Sequence, residues 1–83
     1  MDYRLDVDME VLRFLTSVKK GDRNHVVRWL DRLQAAPFTN GQATMLDDTG
    51  REMQVSKTGK FIVCHWTDHP VKTVRVVRIE VNA

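Results

Sequence analysis

The sequence has one cysteine, two prolines and no long apolar segment. With Cys64 as its only cysteine, the chain cannot form an intramolecular disulfide or a cysteine-based zinc site. It has no run of roughly 18 apolar residues, and its amino-terminal segment MDYRLDVDME is acidic, unlike a signal peptide. These absences predict a cytoplasmic protein that does not associate with membranes and holds no cofactor and no metal.

The remaining composition is that of a folded domain. Hydrophobic residues make up 42% of the chain and charged residues 29%, a balance typical of soluble globular proteins. A chain of 83 residues is too short to build a second core. The sequence therefore predicts a single domain over residues 1–83, with any site on its surface.

Charge is distributed unevenly between the two halves of the chain. Residues 1–49 carry seven Lys and Arg against eight Asp and Glu, and residues 50–83 carry six against three, so the net charges are −1 and +3. A basic carboxyl-terminal half permits contact with a nucleic acid or with an acidic protein segment.

The amino-terminal half reads as a strand followed by a helix hairpin. Tyr3, Leu5 and Val7 alternate with polar residues, which indicates a half-buried strand. From Asp8, a plausible amino-terminal cap, apolar residues recur every three or four positions as far as residues 19–21. A second helix is expected from a cap at Asp22 to about residue 36, joined to the first by the short segment KKGD.

Four strands are predicted in the rest of the chain, over 43–46, 51–56, 60–67 and 71–81, joined by the turns DDTG, KTG and DHP. In the third of these strands Trp66 is expected to face the helices and His65 the open side. In the last strand the apolar phase changes between Val76 and Val77. Either a bulge flips the phase, or the outer half of the strand packs against a second chain.

The resulting α+β class, with an N-terminal strand, a helix hairpin and an antiparallel sheet, resembles the RelE/ParE superfamily of toxins. The resemblance covers nearly the whole chain. It is carried by the element order and by REMQVSKTGKFIVCHWTDHPVKTVRVVRIE, with Gly59 after a strand and an acidic turn at Asp68.

The resemblance implies a toxin of a type II toxin–antitoxin pair that is silenced by a cognate antitoxin. RelE-like members cleave messenger RNA on the ribosome, and ParE-like members inhibit DNA gyrase, so either target is open. The alternative is a non-toxic interaction domain that keeps the fold and binds a partner or a second copy through Val77, Ile79 and Val81 in the last strand.

In the ribonuclease members of this superfamily, basic side chains stabilise the charge of the cleaved phosphodiester. Aligned on Gly59, the matching positions here hold no basic residue; they are Glu52, Gln54, Phe61 and Glu80. A carboxylate near a phosphodiester repels it, so the expected ribonuclease site is altered in this chain.

The candidate site residues lie on the predicted sheet. His65 is the expected acid or base if the chain cleaves RNA, because imidazole titrates near physiological pH. RNA or a partner is expected to contact Arg51, Lys57, Lys60, Arg75 and Arg78. The string DTG at residues 48–50 matches an aspartic-protease tripeptide, but a hairpin turn is the better interpretation.

Overall fold

The computed structural model describes residues 2–82. It contains two helices and five strands. In chain order they are β1 (Arg4–Val7), α1 (Met9–Ser17), α2 (Lys20–Ala35), β2 (Ala43–Leu46), β3 (Glu52–Thr58), β4 (Phe61–Asp68) and β5 (Thr73–Val81). The predicted order of elements is confirmed. None of the helices in this part of the chain is both long and apolar enough to cross a membrane.

The five strands form one sheet in the order β1-β5-β4-β3-β2. The hairpin-connected strands β2 to β5 pair antiparallel, as their short turns require. β1 pairs parallel to β5, with Leu5 opposite Val74 and Val7 opposite Val76. The sheet is therefore mixed rather than wholly antiparallel, because the helix hairpin carries the chain across one face before β2 begins.

The connection between the helices is shorter than predicted. Only Val18 and Lys19 separate α1 from α2, and both are extended. Arg23 stabilises the end of α1, where no glycine is present. Its Nε donates to the Leu15 carbonyl at 2.8 Å and an Nη donates to the Val18 carbonyl at 3.2 Å. Those carbonyls are among the groups that a helix end leaves unsatisfied. The predicted cap at Asp22 is wrong, since α2 already begins at Lys20.

Both helices pack on one face of the sheet and enclose the hydrophobic core there. Each helix contributes an apolar stripe, as its periodicity predicts. The buried core residues are Val11 and Leu15 of α1, Val26, Leu30 and Leu33 of α2, and Phe61, Val63, Val74, Val76 and Ile79 of the sheet.

The predicted orientation of β4 is wrong. Phe61, Val63 and His65 face the helices and are almost completely buried, whereas Trp66 lies on the opposite face and is partly exposed. Both phases of this strand are apolar, so alternation could not choose between them. Pairing decides: His65 lies opposite Val76, which is fully buried, and residues opposite each other share a face.

A bulge in β5 explains the phase change of the last strand. Cys64 pairs with Arg78 while His65 pairs with Val76, which leaves Val77 as the extra residue. Val76 and Ile79 consequently both face the core. The predicted outward patch of Val77, Ile79 and Val81 is wrong, since Ile79 is buried. Beyond Val76, β5 has no strand partner on its β1 side within residues 2–82.

A turn is present at each of the three predicted places, although β3 extends to Thr58 and β4 to Asp68, so the second and third turns begin later than predicted. Asp47 Oδ1 accepts hydrogen bonds from the backbone N–H groups of Thr49 and Arg51 at 2.8 and 2.9 Å. The hydrogen bond from the Thr49 hydroxyl lowers the pKa of Asp47 most, and the two backbone bonds lower it further. Gly50 and Gly59 have φ of 83° and 58°, the left-handed conformation that glycine adopts without a Cβ penalty. The DTG string is therefore a turn.

Candidate functional site

The side of the sheet opposite the helices is called the open face. Trp66 lies at its centre. The Arg51 guanidinium lies 4.0 Å from the centroid of the Trp66 ring, and that of Arg75 lies 5.6 Å away. Guanidinium groups at these distances interact favourably with the π face of an indole. Trp66 was not predicted to belong to this face, because its position in β4 was expected to face the core.

Carboxylates neutralise the arginines around Trp66. Arg75 Nη1 donates to Asp6 Oδ2 at 2.6 Å, and its Nη2 lies 3.9 Å from Asp68 Oδ2. Arg51 lies 3.8 Å from Asp47. Both guanidinium groups are thus held between an aromatic ring and a carboxylate, and this part of the open face carries no excess of positive charge.

The other three predicted basic residues are placed differently from one another. Arg78 pairs with Glu80 at 3.4 Å on the open face. Lys57 lies on the same face opposite Ile62, exposed and without an ion pair among residues 2–82. Lys60 lies in the β3–β4 turn and is drawn to the helix side, where its Nζ lies 3.0 Å from Asp22. The structure therefore brings four of the five basic residues to the open face.

His65 lies in the core rather than on the open face, which corrects its expected position. Its Nε2 lies 2.8 Å from the Ser56 hydroxyl, and its ring packs edge-on against Trp29 with centroids 5.7 Å apart. Burial lowers the pKa of His65 to about 4, because the charged imidazolium loses its solvation. A neutral, buried imidazole has no access to a substrate on the open face.

The open face also carries an apolar strip beside its charged groups. Cys64 is buried there, and its Sγ lies 3.8 Å from the sulfur of Met45 on β2. Burial raises the pKa of the Cys64 thiol, so it stays protonated and behaves as a small apolar side chain. Within residues 2–82, no group of three His, Cys, Asp or Glu side chains could hold a metal ion.

An aromatic cluster lies at one end of the sheet. Phe38 stacks on His69 with ring centroids 4.6 Å apart and planes 14° from parallel. The Tyr3 hydroxyl lies 2.9 Å from Nδ1 of His69, and its ring meets both other rings edge-on. Phe38 was not among the predicted site residues, although an aromatic residue in the polar segment PFTNGQ is a signal that could have indicated it.

Two solved structures share this architecture over nearly their whole length. The chain superimposes on the archaeal RelE–RelB complex from Pyrococcus horikoshii with a TM-score of 0.80 and 15% identity, covering 100% of this chain and 98% of that one. The toxin–antitoxin complex RelBE2 from Mycobacterium tuberculosis gives a TM-score of 0.80 and 16% identity, covering 98% and 99%. The chain has the fold of RelE toxins.

A third structure with the RelE fold is an arginine-to-alanine double mutant of the E. coli toxin RelE in the free state. Its TM-score is 0.68 at 16% identity, and the match covers 98% of this chain and 84% of that one. No protein-family model and no curated protein matches the chain. The predicted resemblance is confirmed at the level of the fold, and the functional residues have to be argued from this chain alone.

Within the RelE fold, the four positions aligned on Gly59 do not form one surface. Phe61 is in the core and Glu80 is on the open face, paired with Arg78. Gln54 lies on the helix side, where its Oε1 accepts a hydrogen bond from the Gly41 N–H at 2.7 Å. Glu52 lines a cavity beside the aromatic cluster. No shared phosphate-binding arrangement results from these four side chains.

Proposed function

We propose that the chain is the toxin-like component of a toxin–antitoxin pair and that a cognate antitoxin protein holds it inactive in the cytoplasm. One observation carries the proposal: the chain corresponds to two RelE structures over 98–100% of its own length and 98–99% of theirs. Both of those proteins were solved in complex with an antitoxin. Because the match extends over nearly the whole of both RelE chains, it supports the proposal that an antitoxin binds this chain in a similar way.

The open face of the sheet is the proposed binding surface. It presents Arg51 just before β3 and Arg75 and Arg78 on β5, together with the ammonium group of Lys57 on β3. The aromatic and carboxylate partners of Arg51 and Arg75 hold their side chains in place, which lowers the entropy lost when a partner binds. Arg51, Arg75 and Arg78 are already paired with carboxylates. Attraction of an acidic protein segment or a nucleic acid backbone to this surface would therefore depend mainly on Lys57.

Action by binding is favoured over RNA cleavage. Cleavage requires an acid or base at the substrate and cations free to stabilise a developing phosphorane. His65 is buried against Ser56, and Arg51, Arg75 and Arg78 each have a carboxylate partner. We therefore propose inhibition of translation or of DNA gyrase by a bound toxin, with ribosome-dependent cleavage as the mechanism that the experiment must exclude.

The ion pairs of the open face also favour a second candidate, a non-toxic interaction domain. Charged side chains that are already paired within the chain attract a highly charged target less strongly, and their pairs mainly make the surface more rigid. A protein of this kind keeps the RelE fold and binds a partner without stopping growth.

Induced expression in bacteria tests the proposal. The intact chain should arrest growth, and co-expression of the neighbouring reading frame should restore it. A copy with an early stop codon controls for the burden of induction. Primer extension on a translated message separates the mechanisms, since arrest with new cuts would establish cleavage and arrest without cuts would support inhibition by binding. Normal growth at a verified protein level would contradict the toxin and favour the interaction domain.

Matched substitutions locate the active surface. Lys57→Ala and Arg78→Ala remove exposed cations from the open face, and Lys20→Ala removes one from the start of α2. If the open face binds the target, the first two variants should weaken growth arrest and the third should not. Equal toxicity of all three variants would place the target-binding surface elsewhere.

A further inference from the structure

A cavity of about 250 Å³ opens at the end of the sheet, where the loop after α2 meets the first residues of β3 and the last of β4. We call it the terminal pocket. Its walls include Phe38, Asn40, Glu52, Trp66, Thr67 and His69. Apart from Trp66, whose ring lies on the open face, none of these residues belongs to the surface proposed above for toxin action.

The aromatic walls of the terminal pocket are held in fixed positions. The His69 ring stacks on Phe38, and its Nδ1 lies 2.9 Å from the Tyr3 hydroxyl. The loop itself is tied to the sheet, because the Thr67 hydroxyl donates to the Pro37 carbonyl at 3.0 Å. Phe38 nevertheless remains 74% exposed. A preformed aromatic surface that stays exposed is suited to receive a flat group.

The charge of the terminal pocket favours a cation. Glu52 has neither an ion pair nor a side-chain hydrogen bond among residues 2–82. The nearby guanidinium of Arg51 is already engaged by Asp47 and by the Trp66 ring. A phosphate here would meet an uncompensated carboxylate, whereas a cation would meet that carboxylate and the exposed ring of Phe38.

We propose that the terminal pocket binds the guanidinium group of an arginine side chain presented by a protein partner. The group is planar, so it can stack on an aromatic ring while it donates two parallel hydrogen bonds to a carboxylate. A lysine ammonium offers the charge without the flat face or the paired donors. Arginine binding in the terminal pocket depends on the pocket's own side chains and does not depend on whether the chain is toxic.

Titration of the intact, ¹⁵N-labelled protein with N-acetyl-arginine amide at pH 7.5 tests the proposal. The backbone amide signals of Glu52, Thr67 and His69 should shift and saturate, with Kd in the millimolar range expected for one side chain. The citrulline analogue has the same shape without the charge and should bind several-fold more weakly. The lysine analogue should fall between them.

Two substitutions should weaken binding without unfolding the protein, since both side chains are exposed. Glu52→Gln deletes the charge and Phe38→Ala the ring, and each should weaken arginine binding by about two- to fivefold, the equivalent of about 0.5–1 kcal/mol. Glu10→Gln removes another exposed carboxylate, on α1, and serves as the matched control. It should leave the binding unchanged.

Three results would overturn the proposal: citrulline binding as well as arginine, Glu52→Gln and Glu10→Gln binding alike, or shifts that never saturate. Adenosine monophosphate is the competing probe, and its binding at Glu52 and Phe38 in place of arginine would identify a nucleotide site. The titration uses purified protein, so its failure is separate from the absence of growth arrest, which concerns only the proposed toxin function.

Discussion

The two faces of the sheet contrast within a single strand. On the helix side of β4, Phe61, Val63 and His65 are excluded from water, and the one polar ring among them has its hydrogen-bond partner in Ser56. On the other side Trp66 is held by the charged groups of Arg51 and Arg75. Burial of large side chains stabilises the helix side. On the open face, contacts between charged groups and an aromatic ring hold the side chains in place while they remain accessible to water.

The largest expected difference between the faces comes from neighbouring large side chains. Phe61→Ala should cost about 3–5 kcal/mol of the free energy of unfolding, because a buried ring leaves a cavity under Phe14. Ile62→Ala, on the partly exposed side, should cost clearly less. Urea denaturation of both variants measures the two values. Equal costs would mean that the open face is buried as deeply as the helix side.

His65 should make the stability of the helix side depend on pH. Its pKa is about 4 in the folded protein and close to the ordinary 6.5 in the unfolded chain, so between these pH values the unfolded state binds more protons. Stability from this group is complete above pH 6.5 and is lost as pH falls through 4, a total on the order of 3 kcal/mol.

Comparison with His65→Gln isolates this effect from that of the carboxylates. The glutamine amide can still contact Ser56 but does not titrate, so the variant should lose stability less steeply between pH 6.5 and 4. Urea midpoints across this range provide the measurement. Parallel curves for the two proteins would show that the imidazole is not buried in its neutral form.

Trp66 should contribute moderately to the stability of the open face. Trp66→Ala removes a partly buried ring and its contacts with two guanidinium groups, and should cost about 1–2 kcal/mol. Trp66→Phe retains an aromatic face and should recover a good part of that loss. The test is thermal or urea unfolding of both variants, and a phenylalanine variant no better than alanine would argue against cation–π contacts.

The smallest expected effect concerns the ion pairs of the open face. Arg78→Met breaks one exposed pair with Glu80 and should change the free energy of unfolding by less than about 1 kcal/mol. Arg75→Met removes contacts with two carboxylates and Trp66 and should cost more. Added salt should reduce the Arg78 effect. An Arg78 cost above that of Arg75 would reverse the ranking within this face.

Periodicity and turn residues were enough to predict most of the fold. The opening strand, the two helices and the four hairpin-connected strands appear in the predicted order. The phase change in the last strand is a bulge, one of the two interpretations that the sequence left open. The helix boundary near residue 20 was missed because Arg23, a residue of α2, satisfies the end of α1 through its side chain. Such a contact leaves no periodic signal.

The candidate site was predicted less well. Composition placed the basic residues in the carboxyl-terminal half, and four of five lie on the open face. Asp47 neutralises Arg51 through the geometry of a turn. Arg75 is neutralised by Asp6 and Asp68, which are separated from it along the chain. Lys60 was misplaced because a turn residue can point to either side, and Asp22 of α2 attracts it.

The sequence by itself determined that this chain forms a helix hairpin and an antiparallel β-meander, because local periodicity and turn chemistry act over a few residues. Only the tertiary structure decided which face of β4 is covered, since Phe61, Val63 and His65 are as compatible with either side as Ile62, Cys64 and Trp66. The bulged pairing with β5 makes that choice by placing His65 opposite the buried Val76. That one register puts the histidine in the core and the tryptophan on the open face.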